Sequence, residues 1–246
     1  MPQRLDRIDL LRAAAMLWMT AYHLCFDLDF FGFIDADFYR DPFWTWQRTA
    51  IVSLFLFTAG LSQAVAVQQG QSWARFWRRW LQVAGAAVLV TAGSVLMFPN
   101  SFIYFGVLHG IAVMLIVVRA TAGWGAWLWM LGGVVVGLKF AAPHAIAAWP
   151  ALEVFNGPAL NWLGLISRKP ITEDYVPLVP WLGVMWWGMA AGQWALRRQP
   201  AWLGAAHGKA SGLRRTGVTL GRWSLTYYLL HQPVLIGLVW LLVQMR

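Results

Sequence analysis

Charged residues are scarce in this sequence, and their scarcity excludes most classes of soluble protein. Only 12% of the 246 residues are Asp, Glu, Lys or Arg, whereas 59% are hydrophobic. A soluble domain has about 25% charged and about 45–50% apolar residues. Because so few charged side chains cannot cover a surface that faces water, we expect the exterior of this protein to face lipid.

Cysteine is almost absent as well, with Cys25 as the single one. One cysteine excludes a disulfide framework or a cysteine-rich metal site within the chain. A zinc site built on histidines is also disfavoured, because no two histidines follow H-x-x-x-H or H-E-x-x-H spacing. The net charge of +9 comes without a nucleic-acid-binding motif, so nucleic acid is not an expected partner.

Long apolar runs are what the sequence has instead. A bilayer requires about 20 apolar residues per helical crossing. The runs predict an all-α, polytopic transmembrane helical bundle with about seven crossings, forming one domain over residues 1–246. The predicted crossings are Ile8–Leu28, Trp44–Val67, Trp80–Phe98, Phe102–Val118, Gly123–Ala142, Leu178–Leu196 and Gly221–Val243. Prolines interrupt 143–176, which we interpret as a non-cytoplasmic loop, with an interfacial or re-entrant helix as an open alternative.

Basic residues recur at one end of the predicted crossings and orient the bundle. They are Arg4, Arg7 and Arg12, then Arg75, Arg78 and Arg79, then Arg119, and finally Arg197, Arg198, Lys209, Arg214 and Arg215. Lys and Arg collect on the cytoplasmic side of membrane proteins, which predicts a cytoplasmic N-terminus. The expected location is the inner, cytoplasmic membrane of a bacterium.

Ionisable residues within predicted crossings are the candidates for function, because they are costly in a membrane. Arg12 and His23 are 11 residues apart, which places them within about 20° on one helical face and about 16 Å apart along the axis. Asp27 follows His23 by one turn and can meet it. We predict His23 as a general base that Asp27 orients. The alternative is a buried His–Asp pair that only locks the helix to a neighbour.

Two further crossings also carry histidines. His109 lies in the fourth crossing, and His231 lies in the seventh beside Tyr228 and before Pro233. Each is either part of a cavity or part of a hydrogen-bonded packing cluster. We expect helix N-termini and four arginines to form an anion-attracting rim on the cytoplasmic side. The four arginines are Arg12, Arg78, Arg79 and Arg222. The alternative is that these charges only orient the protein in the membrane or contact anionic lipid.

Two of the GxxxG matches in the sequence, Gly133–Gly137 and Gly188–Gly192, predict close helix packing.

Four sequence blocks resemble the bacterial DUF1624 family, which is related to the catalytic domain of the lysosomal heparan-alpha-glucosaminide N-acetyltransferase. The blocks are Arg7–Arg12 leading to Tyr22–Asp27, then Phe55–Ser62, then Ile103–His109, and finally Asp174–Gly183 with Leu220–Pro233. The opening block also resembles acyltransferase-3 membrane O-acyltransferases. The resemblance implies transfer of acetyl from cytosolic acetyl-CoA to a saccharide, or another envelope amine or hydroxyl, on the far side.

The resemblance also implies roles for particular residues. The four arginines of the rim would hold the CoA phosphates, and Asp174 and Tyr228 would line the acceptor cavity. The lysosomal enzyme has Asn at the position of His23, so the base is His23 by preference, with His109 and His231 as alternatives. The expected partners are the acyl-CoA donor, a small acceptor and the lipid bilayer, and a homodimer is an open alternative.

A different class of protein also fits the composition. A small transporter or lipid-binding membrane protein without transferase activity would be equally apolar, although transporters often have internal repeats that this sequence lacks. An acyl-CoA thioesterase is a weaker alternative.

Overall fold

The computed structural model describes residues 5–198 and 211–245, and all regular structure in these ranges is helical. The eight α-helices are α1 Asp6–Phe30, α2 Pro42–Gln68, α3 Trp73–Met97, α4 Val107–Ala120, α5 Trp127–Ala148, α6 Leu178–Arg198, α7 Gly212–Arg222 and α8 Ser224–Gln244. The expected all-α class is therefore confirmed. Arg4 and Lys209, which entered the orientation argument, lie outside the described residues.

The chain divides into two compact units. The terminal unit comprises the described residues of Met1–Phe55 and Ala201–Arg246, and the central unit comprises those of Leu56–Pro200. Helix α2 begins in the terminal unit and ends in the central unit.

In the terminal unit α1 packs against α7 and α8. Its apolar core contains Met16, Met19, Tyr22, Phe38 and Ile51, which are all buried. The end of α7 approaches α1 so closely that a side chain at Gly221 would collide with the backbone of Asp9. This approach brings the polar face of α1 against the last two helices.

In the central unit α5 and α6 pack against each other through glycines. A Cβ atom on Gly183 would collide with the carbonyl of Gly132. One GxxxG prediction is confirmed, because Gly188 meets the backbone of Phe57 and Gly192 meets Ala64. The other is wrong, because Gly133 and Gly137 face open space on α5 in the described structure.

Four helices, α2, α3, α5 and α8, are long and apolar enough to cross a membrane. Large apolar side chains on all four are exposed, including Trp46 of α2, Leu89 of α3, Phe140 of α5 and Leu238 of α8. Exposed apolar faces of this kind suit a lipid environment. The number of crossings and the side of the N-terminus remain predictions, and α4, with 14 residues, is about 21 Å long.

Several boundaries differ from the sequence-based prediction. Helix α3 begins at Trp73 rather than Trp80, and α8 begins at Ser224, after a break from the helix that contains Gly221. Helix α5 continues through Pro143 to Ala148, because prolines are tolerated in transmembrane helices where other groups satisfy the freed backbone. Helix α4 begins at Val107 rather than Phe102, since Phe105 pairs with Tyr175 in an isolated bridge and is extended. The intervening segment 149–177 has two 3-10 turns, Pro150–Asn156 and Asn161–Leu163.

Candidate active site

Two histidines on neighbouring helices of the terminal unit are hydrogen-bonded to each other. Nδ1 of His23 on α1 lies 2.8 Å from Nε2 of His231 on α8, and the two rings stack with centroids 5.1 Å apart. The remaining ring nitrogen of His231, Nδ1, lies 2.7 Å from the carbonyl oxygen of Tyr228. His231 is buried and His23 is partly exposed. Two of the three predicted histidines therefore form one pair.

Asp27 bonds to a residue that the sequence analysis did not select. Its Oδ1 accepts a hydrogen bond of 2.8 Å from the Nε2 of Gln232. The expected contact between Asp27 and His23 is therefore wrong. Because His231 and Gln232 are consecutive on α8, they meet successive turns of α1, and each provides a partner across the helix interface. The signal for Gln232 was a polar residue next to His231 in an otherwise apolar helix.

The Asp27–Gln232 contact leaves two acceptors unused. Oδ2 of Asp27 and Oε1 of Gln232 are buried and have no hydrogen-bond partner among the described residues. An unpaired buried polar atom costs about 1–3 kcal/mol, so a group that donates a hydrogen bond here would be stabilised. One helical turn from His23, two buried acceptors are thus left without a donor among the described residues.

Aromatic side chains hold the histidine pair in place. The ring of Tyr227 stacks on His231 at 6.0 Å, and its hydroxyl donates to Thr20 Oγ1 at 2.7 Å, since the Thr20 hydroxyl already donates to Met16 O. The ring of Tyr228 lies 5.6 Å from that of His231 and packs against the core of the unit. Tyr228 is therefore adjacent to the pair, where the sequence analysis expected a cavity residue.

Two arginines of the predicted rim share one carboxylate in the terminal unit. Arg12 pairs with Asp9 at 2.8 Å and donates to the Gly221 carbonyl, while Nε of Arg222 lies 3.8 Å from the same carboxylate. Asp9 is only 4% exposed, so its charge is compensated by these arginines. The three groups together keep one positive charge at the start of α1.

The other two rim arginines belong to the central unit. Arg78 and Arg79 lie on the second turn of α3 and are exposed. No ion pair is recorded for either within residues 5–198 and 211–245. Both guanidinium groups are therefore accessible to an anion from solution.

His109 has a different environment in the central unit. Its Nε2 lies 3.0 Å from Oγ1 of Thr91, whose hydroxyl donates to the carbonyl of Ile103 at 2.7 Å. Because one hydroxyl has one proton, His109 Nε2 donates to Thr91. Its Nδ1 is buried without a partner in the part of the chain that the structure describes.

Asp174, expected in the acceptor cavity, binds the start of a helix. Its Oδ2 accepts the backbone N–H of Val107, the first residue of α4, at 2.7 Å. A carboxylate at a helix N-terminus satisfies an otherwise unpaired N–H and favours the helix dipole. Nearby, the Tyr175 hydroxyl donates to the carbonyl of Asn161, and burial raises the pKa of that hydroxyl. The bond to Val107 gives Asp174 a structural role at the start of α4.

Comparison with protein families gives one match. The family described as heparan-alpha-glucosaminide N-acetyltransferase, catalytic, matches residues 4–233. The chain belongs to this family. No curated protein and no solved structure matches the chain.

Membership of the heparan-alpha-glucosaminide N-acetyltransferase catalytic family confirms the resemblance found in the sequence blocks. It identifies the chain as a membrane acetyltransferase in general terms. The DUF1624 subgroup and the bacterial origin stay predictions. The matched range contains every residue that the sequence analysis selected for the site.

Proposed function

We propose that this protein transfers an acetyl group from acetyl-CoA to an amine or hydroxyl of a saccharide or another small envelope acceptor, with His23 as general base. The observation that carries the proposal is the position of His23, partly exposed beside the unused acceptors of Asp27 and Gln232. A base must have a lone pair within reach of the proton that it takes.

Acetyl-CoA, when bound, supplies the activated thioester. Within the terminal unit the residue that would hold its phosphates is Arg222, beside the compensated Arg12. Within the central unit the candidates for the same role are Arg78 and Arg79, since both are exposed cations. The distance of about 16 Å between Arg12 and His23 along α1 is of the order that an extended pantetheine arm spans. The charges and spacing of the described residues therefore fit the donor.

A residue of the terminal unit takes up the acceptor's proton. His23 takes this proton as the acceptor attacks the thioester carbonyl. Whether transfer is direct or proceeds through an acyl-histidine is decided by trapping, because only the second route leaves a labelled histidine on the protein.

The proposal is tested with the purified full chain in proteoliposomes. Labelled acetyl-CoA is added on one side and an amino sugar or the matching neutral sugar on the other, and labelled product is measured. We expect product from the wild type and from His144→Gln, an exposed histidine that serves as the control. No product, together with no thermal stabilisation by CoA, would contradict the proposal and favour the transporter or lipid-binding alternative.

A further inference from the structure

We infer that His231 is a positioning residue that holds His23 in the tautomer with the proton on Nδ1, so that Nε2 of His23 is the atom that receives the acceptor's proton. The inference deepens the proposed function and rests on it for its catalytic meaning. Its structural content, the protonation state of two ring nitrogens, stands on three contacts of the terminal unit.

The carbonyl of Tyr228 determines the tautomer of His231. A carbonyl oxygen only accepts hydrogen bonds, so the His231 Nδ1 atom 2.7 Å away must carry the proton. A neutral imidazole has one N–H. Nε2 of neutral His231 is therefore an acceptor.

The tautomer of His231 in turn determines the tautomer of His23. Nε2 of His231 lies 2.8 Å from Nδ1 of His23, and a bond between them requires one proton. Since His231 cannot supply it, His23 Nδ1 is the donor. The lone pair of neutral His23 then lies on Nε2, which has no partner among the described residues. The hydrogen bond at one ring nitrogen thus determines which nitrogen is basic.

Proton transfer follows from this arrangement. As the acceptor forms its bond to the acetyl carbon, its proton moves to Nε2 of His23, which becomes an imidazolium. The Nδ1–H bond to His231 strengthens because its donor is now charged. When the carbon–sulfur bond breaks, the proton moves from Nε2 to sulfur, and both histidines return to their starting forms. His231 has the orienting role that a carboxylate has in a Ser–His–Asp triad, with a backbone carbonyl behind it.

The surrounding contacts explain why His231 rather than Asp27 has this role. Oδ1 of Asp27 is bonded to Gln232 and Oδ2 has no partner among the described residues, so neither oxygen is bonded to His23. The ring of His231 is held between the Tyr228 carbonyl and the stacked ring of Tyr227, whose planes differ by only 7°. A ring held on two sides fixes its own tautomer and, through it, that of His23.

The decisive test is ¹⁵N NMR of histidine-labelled full-length protein in nanodiscs, near neutral pH. The chain has five histidines, so the signals of His23 are assigned from their loss in His23→Gln. We expect the Nδ1 of His23 to be protonated in the wild type, and the proton to redistribute towards Nε2 in His231→Phe. A wild-type His23 protonated on Nε2 overturns the inference, whether or not acetyl transfer is observed.

A pair of variants tests the catalytic meaning. His231→Gln keeps an acceptor oxygen near the position of Nε2, whereas His231→Phe keeps a ring and removes the acceptor. We expect kcat to fall by roughly 10–100-fold in the Phe variant, with KM for acetyl-CoA unchanged, and to recover in part in the Gln variant. Equal activities of the two variants overturn the positioning role.

Failure of the proposed acetyl transfer and failure of the role of His231 give different results. If wild-type His23 is protonated on Nδ1 but no acceptor is acetylated, the tautomer assignment stands and the proposed function fails. If acetylation is normal in His231→Phe, the proposed function stands and the positioning role of His231 fails.

Discussion

The two units contain hydrogen-bond chains of the same kind that differ at one end. In the terminal unit the chain runs from the Tyr228 carbonyl through His231 to His23. In the central unit it runs from the Ile103 carbonyl through Thr91 to His109. Each chain begins at a backbone acceptor and ends at an imidazole nitrogen that carries a lone pair.

Access distinguishes the two ends. Nδ1 of His109 is fully buried. Nε2 of His23 also has no partner among the described residues, but it is not fully buried. Unused acceptors of Asp27 and Gln232 lie next to the terminal chain. The comparison teaches that hydrogen bonds select the basic nitrogen of a histidine in a helical bundle, while exposure decides whether a substrate can use it.

The largest expected difference is between alanine variants of His23 and His109, the histidines at which the two hydrogen-bond chains end. His23→Ala should reduce acetyl transfer by roughly 10²–10⁴-fold, the usual contribution of a general base, with CoA binding retained. His109→Ala should instead lower stability by about 1 kcal/mol, the net value of a hydrogen bond, with transfer per folded protein retained. Labelled-product assays and CoA-dependent thermal shifts measure both.

His23→Asn is the sharper version of this experiment, because Asn keeps a polar side chain at this position but cannot act as a general base. Near-normal transfer in His23→Asn together with an inactive but folded His109→Ala would assign the base to the central unit. Failure of both His23→Ala and Asp27→Asn to fold would mean that the polar face of α1 has only a structural role.

The arginines provide the next largest effect. Charge reversal at Arg78 or Arg79 should weaken acetyl-CoA binding by roughly tenfold or more, because a hydrogen bond to a charged group contributes about 1.5–3 kcal/mol. Added salt should reduce wild-type binding too. Arg198→Glu, at the exposed end of α6, is the control. Equal CoA affinities for all these variants, measured by titration, would leave the arginines as topology signals.

Arg12 should behave differently from Arg78. Its guanidinium compensates the buried Asp9, so Arg12→Ala removes a charged partner from a buried carboxylate. We therefore expect reduced thermal stability rather than a selective loss of CoA affinity.

Asp27→Asn should have a smaller effect on transfer. Asn retains an oxygen that can accept from Gln232, and the loss is expected to be within about 1.5 kcal/mol, or roughly tenfold in rate. If Asp27 were the partner of His23, as the sequence predicted, Asp27→Asn would lose more activity than His231→Phe. The kcat values of the two variants, measured side by side, decide between these partners.

Asp174→Ala should change stability alone. Loss of a side-chain acceptor at a helix N-terminus costs about 0.5–2 kcal/mol, so the Tm should fall while kcat per folded protein is retained. Asp174→Asn, which keeps an oxygen for the Val107 N–H, should restore part of the Tm. A selective rise in acceptor KM at unchanged Tm would return Asp174 to the acceptor cavity.

Helix positions and the polar face of α1 followed from the sequence, because length, hydropathy and a rotation of about 100° per residue are local properties. Arg12 and His23 were placed on one face in this way. The partners were not predictable: whether His23 meets Asp27 or His231 depends on the rotation of α8 against α1. That rotation is set by packing contacts such as Tyr227 with Thr20.

The glycine motifs show the same limit. Gly188–Gly192 and Gly133–Gly137 have identical spacing, yet only the first meets another helix in the described structure. Spacing establishes that small residues share a helical face, but not that a neighbouring helix is present there. Asp174 is similar, since its role depends on the segment that returns to the start of α4.

Chemical modification of the wild-type protein tests the central claim most directly. Diethyl pyrocarbonate acylates accessible, unprotonated imidazole nitrogens, and mass spectrometry measures the modified fraction at each histidine. Exposed His144 reports that the reagent is active. The account predicts that loss of acetyl transfer follows modification of His23 while His109 remains intact. Loss of activity that follows modification of His109, with His23 unmodified, would contradict it.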